Sequence, residues 1–281
     1  MDQVADVIRE ATTRLIVPRF RTLQASEIEE KAPGETVTIA DREAEAFIAT
    51  RLRAILPGVP VVGEEAVAAD PDLILALESA PLAWLVDPLD GTSNFASGDP
   101  HWATMIALVA NGEAVQSWIY RHGDQALYAA ERGSGTRRNG EHLVCNPPSP
   151  DLTALRGAIL ARFLTDEERV SVLPKSEVFA EVLPGFKCSG YEYPAIIENM
   201  QQFALFQRLL PWDHAPGALL LREACGVASL LDGSPYEART RRRGMLLANS
   251  PAIWKVVREA LYGERRPDVG TCSPSPVSTP C

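Results

Sequence analysis

The segment Trp84-Leu85-Val86-Asp87-Pro88-Leu89-Asp90-Gly91-Thr92-Ser93-Asn94-Phe95 decides how the rest of the chain is read. The apolar run from Leu82 to Val86 has the length of a buried strand and ends on Asp87. Pro88 stiffens the turn to Asp90, and Gly91-Thr92 opens a possible helical turn. A helix start offers backbone N–H groups without partners, which is a natural seat for a phosphate. Carboxylates just ahead of that helix start bind hard cations through oxygen. Taken alone, Asp-Pro and Asp-Gly are also ordinary turn formers.

Working upstream, Val4, Val7, Ile8, Ala11 and Leu15 recur at helical spacing as far as Pro18. Residues 24–36 are charged, contain Pro33-Gly34, and read as a loop. Ala44, Phe47, Ile48, Leu52 and Ile55 mark a second amphipathic helix, stopped by Pro57-Gly58. Val59 to Val62 is a short strand that runs into Gly63-Glu64-Glu65. Downstream, Ala103 to Ala110, Ala114 to Tyr120 and Gln125 to Ala130 are joined by Asn111-Gly112 and His122-Gly123-Asp124. Consecutive hairpins predict an antiparallel sheet and exclude a doubly wound nucleotide-binding half.

Composition shifts at Asn146-Pro147-Pro148-Ser149-Pro150, which places a domain boundary between residues 1–145 and 146–263. Beyond it, strands at Arg156 to Leu160, Phe186 to Cys188, Leu205 to Leu209 and Val227 to Leu231 alternate with helices. Those helices are expected at Pro194 to Phe203, Asp213 to Cys225 and Ser250 to Tyr262. Residues 264–281 are rich in Pro, Ser and Thr and are predicted to be disordered.

A chain of 281 residues, 46% of them hydrophobic, can bury a large core. Its net charge of −10 excludes a nucleic-acid surface, which needs a dense cationic field. The basic run Arg239 to Arg243 reads as a solvated loop. No run of about 18 apolar residues suggests a membrane span, and no signal-peptide core is seen at the N-terminus. Cys145, Cys188, Cys225, Cys272 and Cys281 lack zinc spacing and read as reduced thiols, so a soluble cytoplasmic protein is expected.

Three further acidic positions accompany Asp87 and Asp90. Glu64 with Glu65 ends a strand, Asp41 lies at a helix start, and Asp213 follows Trp212 at another. Singly, these are a loop charge, a surface helix charge and an N-cap. Together, Val37-Thr38-Ile39-Ala40-Asp41, Gly63-Glu64-Glu65, the Asp87 to Phe95 segment and Trp212-Asp213-His214-Ala215-Pro216-Gly217 resemble the signatures of the inositol monophosphatase family. The resemblance covers about residues 1–262 and implies an α+β fold with helices and sheets layered αβαβα, as in fructose-1,6-bisphosphatase.

It also implies Mg²⁺-dependent hydrolysis of small phosphate monoesters, lithium sensitivity, and a homodimer. On this resemblance Glu64, Asp87 and the Leu89 carbonyl hold one Mg²⁺, and Asp87, Asp90 and Asp213 hold a second. Asp41 sits near a third, weaker site and pairs with Thr92. Glu64, Thr92 and Asp41 are the implied catalytic residues, and the Gly91 and Thr92 N–H groups hold the phosphate. The physics agrees, because converging carboxylates without cations repel, and some have to protonate. Lys31 resembles a basic residue that family members carry near the phosphate, but its spacing to Asp41 is one residue short.

The leaving-group side departs from inositol-selective members. Phe206 stands where they often carry Glu, and Ser189-Gly190-Tyr191-Glu192-Tyr193 replaces a Gly-Thr-Ala run. Asp90, Gly190, Tyr191, Glu192 and Arg208 are the expected substrate contacts, in a pocket more apolar and aromatic than an inositol-selective one. Histidinol phosphate and 3′(2′),5′-bisphosphate nucleotides remain alternatives to inositol 1-phosphate. A catalytically silent interaction protein predicts a broken ligand set, and none of these residues is missing.

Overall fold

A computed structural model describes residues 2–32 and 34–263, and the expectation for the tail at 264–281 lies outside the described residues. Helix α1 (Asp2–Ala11) is followed by a ribbon of β1 (Ile28–Ala32) and β2 (Glu35–Thr38), then α2 (Ile39–Ile55). Next come β3 (Val61–Gly63), α3 (Glu64–Ala69), α4 (Ala76–Ser79), β4 (Leu82–Asp90) and α5 (Thr92–Ser97). Strands β5 (Ala103–Ala110), β6 (Glu113–Arg121), β7 (Ala126–Glu131), β8 (Thr136–Arg138) and β9 (Glu141–Leu143) complete the meander. The remainder is β10 (Arg156–Ile159), α6 (Asp166–Val172), β11 (Glu181–Leu183), α7 (Ser189–Ile197), β12 (Phe203–Phe206) and α8 (Pro211–Glu223). It closes with β13 (Val227–Leu230), β14 (Met245–Ala248) and α9 (Pro251–Tyr262).

Strands β3 to β9 form a seven-stranded sheet in sequence order. Only β3 and β4 run parallel, and every later neighbour is antiparallel. The second sheet has the order β11-β10-β12-β14-β13. Its first three strands are parallel and its last two pairings antiparallel.

Alternation along the strands builds the layers. Trp84, Val86, Ile106, Leu108 and Trp118 turn to one face and pack on α1 and α2. Leu85, Met105, Ala107 and Ile119 turn to the other, against Tyr193 and Ile196 of α7 and Leu219 and Leu220 of α8. Those helices also cover Ala204, Phe206, Met245 and Leu247 of the second sheet. Its outer face, with Phe203, Leu205, Leu246 and Ala248, packs on Ile253, Val257 and Leu261 of α9. The order is αβαβα, so the α+β sandwich expected from the resemblance is the fold observed.

Local assignments differ in several places. Residues 24–36, read as a loop, hold the β1–β2 ribbon, whose strands pair antiparallel from Ile28↔Thr38. Phe186 to Cys188 is not a strand, because Lys187 takes a left-handed φ of 57° and leads into α7. That helix spans Ser189–Ile197 rather than residues 194–203, and Phe203 to Phe206 belongs to a strand. Met245–Ala248, which no expectation covered, lies between β12 and β13. The Arg239 to Arg243 run is a surface, with Arg239, Arg241, Arg242 and Arg243 paired to Glu237, Glu78, Asp232 and Glu168.

The central helix layer has no slack at Gly217 of α8. A Cβ there would lie 2.2 Å from the Tyr193 ring. Alanine is the better helix former by about 1 kcal/mol, yet overpacking a filled core costs ~1–3 kcal/mol. Gly217→Ala is therefore expected to lower stability in urea denaturation rather than raise it.

Candidate metal and phosphate site

Each site residue is delivered by the end of an element. Strand β4 carries Asp87 and Asp90, and its pairing with β5 is irregular between them. Thr104 of β5 fixes that irregularity, since its hydroxyl donates to the Pro88 carbonyl at 2.9 Å. Gly91 adopts φ 86°, a conformation that glycine tolerates without strain, and a Cβ there would meet the His101 carbonyl at 2.8 Å. The chain then enters α5, whose first-turn N–H groups at Thr92 and Ser93 have no intrahelical acceptor.

Asp41 stands in the first turn of α2, in a capping box with Thr38. Its Oδ2 accepts from the Thr38 amide at 2.8 Å and hydroxyl at 2.6 Å, and its Oδ1 accepts from Thr92 at 2.9 Å. The Thr92 hydroxyl lies equally close to the Leu89 carbonyl, at 2.9 Å. Glu64 opens α3 and Asp213 lies in the first turn of α8.

Glu64, Asp87 and Asp213 each place a carboxylate oxygen within 4.8 Å of the others. They share a cavity of about 660 Å³ with Leu89, Asp90, Gly91, Thr92, Glu192 and Arg208. Asp90 is turned aside, its Oδ2 accepting the Gly190 amide at 2.6 Å and the Cys188 thiol at 3.1 Å. Asp41 is buried beneath Thr92 rather than on the cavity wall.

Two expected substrate contacts fall elsewhere. Tyr191 is not on the cavity wall: its hydroxyl donates to the Pro100 carbonyl, and its ring meets His101, Phe186 and the Arg121 guanidinium. Gly190 positions Asp90 rather than lining the cavity, and a Cβ there would lie 2.5 Å from that of Ala103. Phe206 does line the cavity, stacked on Tyr193 and against the edge of His214. Glu192 is fully buried, accepting from the Phe186 amide at 2.5 Å and from Gln201 at 2.6 Å.

Three residues at the site were not among those expected. Lys31, on β1, donates to Glu64 at 2.6 Å and Glu65 at 2.7 Å. Glu45 accepts the Glu65 and Ala66 amides, both at 2.8 Å, and so fixes the turn that presents Glu64. Its signal was an acid one turn after Asp41 on the apolar face of α2. Asn94 donates to the His101 and Phe186 carbonyls, at 2.7 and 2.8 Å, tying α5 to the segment before α7.

Burial, followed by repulsion from Glu64 and the neighbouring aspartates, holds Asp87 well above the carboxylate range. Asp213 is raised by burial and then by Asp90 and Glu64. Asp90 is pushed up to about 7, chiefly by burial, and burial likewise lifts Asp41 to about 7. These are signs of a charge deficit. Lys31 is the ammonium bound to this acidic edge, and although burial opposes it, Glu64 and Glu65 raise its pKa. An all-oxygen, acid-rich donor set short of positive charge fits a hard divalent cation.

A carboxyl whose folded pKa exceeds its unfolded value contributes stability at low pH and loses it as pH rises through the folded value. For Asp90 that window runs from the ordinary 3.8 up to about 7. In metal-free protein, Asp90→Asn is expected to gain in Tm relative to the parent as pH rises from about 5 to about 8. Calorimetric melts in EDTA across that range check it, and a constant difference would mean that the Asp90 carboxyl is not raised by its burial.

The family model of the inositol monophosphatase family matches residues 2–267. The inositol-1-monophosphatase of Bacillus subtilis is 30% identical over 273 residues, covering 95% of this chain and 98% of that protein. The Nus factor SuhB of Vibrio cholerae is 27% identical over 245 residues, covering 82% and 85%. Among solved structures, the extragenic suppressor protein suhB of Bartonella henselae superposes with a TM-score of 0.78 at 25% identity, covering 92% of this chain and 98% of that one. With the acidic cluster, the layered fold and this match along its length, the chain belongs to the inositol monophosphatase family.

Proposed function

We propose that the protein hydrolyses small phosphate monoesters with Mg²⁺. The observation that carries this reading is the convergence of Glu64, Asp87 and Asp213 in a cavity that also holds Gly91 and Thr92. Glu64, Asp87 and the Leu89 carbonyl are assigned to one ion, and Asp87, Asp90 and Asp213 to a second. Asp41 stands near a third, weaker position. When bound, the ions supply Lewis-acid stabilisation of charge on the phosphoryl and leaving oxygens and make water more acidic.

The chain's own residues do the rest. The Gly91 and Thr92 amides receive phosphate oxygens at the start of α5. Thr92 has one hydroxyl proton and two acceptors at 2.9 Å, Asp41 and the Leu89 carbonyl. With that proton committed to Asp41, a Thr92 lone pair is left to accept one from the attacking water. Asp41, lifted to about 7 by burial, is matched to holding a proton near neutral pH. Glu64 orients the water from the other side. The water oxygen forms the new bond to phosphorus as its proton passes to Thr92 and the Thr92 proton to Asp41; the phosphorus–oxygen ester bond breaks, and the departing alkoxide takes a proton from solvent water. No phosphoenzyme is required.

Inositol 1-phosphate, histidinol phosphate and bisphosphorylated nucleotides are the substrate candidates. Relatives named Nus factors motivate a second reading, an interaction role without turnover. The intact acidic set supports catalysis over that reading.

Phosphate release from inositol 1-phosphate is expected to stop on chelation and return with Mg²⁺; full turnover in excess EDTA would sink the mechanism. Asp213→Asn keeps the side chain's shape and removes its charge, so kcat should fall by ~10² or more, as loss of electrostatic transition-state stabilisation does. Near-parental kcat would take Asp213 out of the metal shell.

A further inference from the structure

The first turn of α7 is held only in part by its own helix. The Tyr191 and Glu192 amides both reach the Cys188 carbonyl, at 3.1 Å. Pro194 stands inside the helix and has no N–H for the Gly190 carbonyl four residues back. On the other side, Lys187 takes a left-handed φ of 57° and breaks the chain's direction. Yet this turn carries the two groups that fix one oxygen of Asp90, the Gly190 amide at 2.6 Å and the Cys188 thiol at 3.1 Å. Contacts from outside the helix have to keep Gly190 in place.

Tyr191, the next residue, makes those contacts with the first half of the chain. Its hydroxyl donates to the Pro100 carbonyl at 3.2 Å, and its ring centre lies 5.0 Å from that of His101. A Cβ on Gly123, in the turn between β6 and β7, would lie 3.0 Å from the same hydroxyl, so the turn closes on it. The Arg121 guanidinium, at the end of β6, stands 4.9 Å from the centre of the Tyr191 ring and 5.0 Å from that of Tyr128. A planar guanidinium stacks on a ring face as an ammonium cannot, and the attraction is strongest out of water.

Arg121 is itself rigidly placed. It is buried, and a buried cation has to be paired. Asp124 accepts from its Nε at 3.2 Å and also from its Nη2, and Glu198 lies 3.9 Å from its Nη1. Arg138 pairs with the same two acids, and the Tyr128 hydroxyl donates to Glu198 at 2.6 Å. Two cations and two acids balance within this network, so its charge is not spent on the acidic cluster. It supplies a fixed flat cation on which the Tyr191 ring lies.

We infer that Arg121 and Tyr191 are positioning residues for Asp90. Together they hold the first turn of α7 so that Gly190 and Cys188 grip one Asp90 oxygen and leave the other set towards the second ion. Neither side chain lines the cavity, so both act through the turn. This rests on the reading above in which Asp90 is a ligand of that ion.

The test follows Mn²⁺ binding to the full chain through the electron paramagnetic resonance of the free ion, which needs no turnover. Tyr191→Leu and Arg121→Met are each made in the parent and together with Asp90→Asn. In the parent, the Kd of the weaker ion should rise by about tenfold or more, as loss of a group that orients a ligand does. In the Asp90→Asn chain, the same changes should move the whole binding curve by less than about twofold, because the residue they act through is gone. This holds whether that chain binds one ion or two. Equal losses in both backgrounds would mean that the pair only supports the fold, and no loss in either would mean that Gly190 is held without it; both overturn the inference. Tyr191→Leu leaves the Arg121 charge paired, so it decides alone if melts in EDTA show Arg121→Met unfolded. Parental Mn²⁺ binding by Asp90→Asn would take Asp90 out of the metal shell, and the inference with it. If the coupling is found while no monoester is cleaved with Mg²⁺, the monoesterase reading fails and the positioning of Asp90 stands.

Discussion

Like charges held out of water repel, and the fold has to carry that cost at one place. Asp87 and Asp90 are buried, Asp41 is buried beside them, and Glu64 and Asp213 complete the group. The structure offsets the repulsion with helix starts. Asp41 lies in the first turn of α2, Glu64 in that of α3 and Asp213 in that of α8. Asp90 accepts an amide from the first turn of α7, and Thr92 begins α5. A helix N-terminus carries a partial positive charge, so each of these acids sits where the backbone favours an anion.

That arrangement explains why two sheets are needed. Glu64 leaves the end of β3 and Asp87 lies on β4, both in the seven-stranded sheet. Helices α7 and α8 are sandwiched between the sheets and bring Gly190 and Asp213 in from the other half. Packing of α8 against β4, with Leu219 and Leu220 in one core with Leu85, sets Asp213 near Asp87. The β1–β2 ribbon closes the remaining side. Its Lys31 reaches Glu64, while Arg162 and Arg208 hold Gly34 and Glu35 from the second half.

How much of this was legible depended on how local the cause was. Asp87, Pro88, Asp90, Gly91 and Thr92 are close neighbours in the chain, and turn chemistry places them without reference to anything distant. Asp41 and Asp213 showed as acids at helix starts. The ribbon was obscured because Glu29, Glu30 and Lys31 give it no apolar alternation, its faces being largely open, and Lys31 itself was set aside on its spacing to Asp41. Met245–Ala248 is buried on both faces, so it shows no period that would distinguish strand from helix. Tyr191 was placed by its neighbours in sequence, yet its ring turns to Arg121 and His101 because the first turn of α7 points Gly190, not Tyr191, at Asp90.

Several residues around the cluster act on the acids rather than standing among them. Glu45 grips the α3 amides, and a Cβ on Gly63 would lie 2.3 Å from its carboxyl, so that glycine and that acid are one device. Cys188 and Gly190 hold one oxygen of Asp90 and leave the other to the cavity. Thr38 occupies one oxygen of Asp41 and leaves the other for Thr92. At Asp90 and Asp41 hydrogen bonds fix one oxygen of the carboxylate, and orientation follows. A bare carboxylate rotates between two equivalent oxygens, whereas a carboxylate held on one side presents a single oxygen in a set direction. The directions of Asp90 and Asp41 are thus set by neutral donors, while at Glu64 an acid, Glu45, holds the turn that presents it.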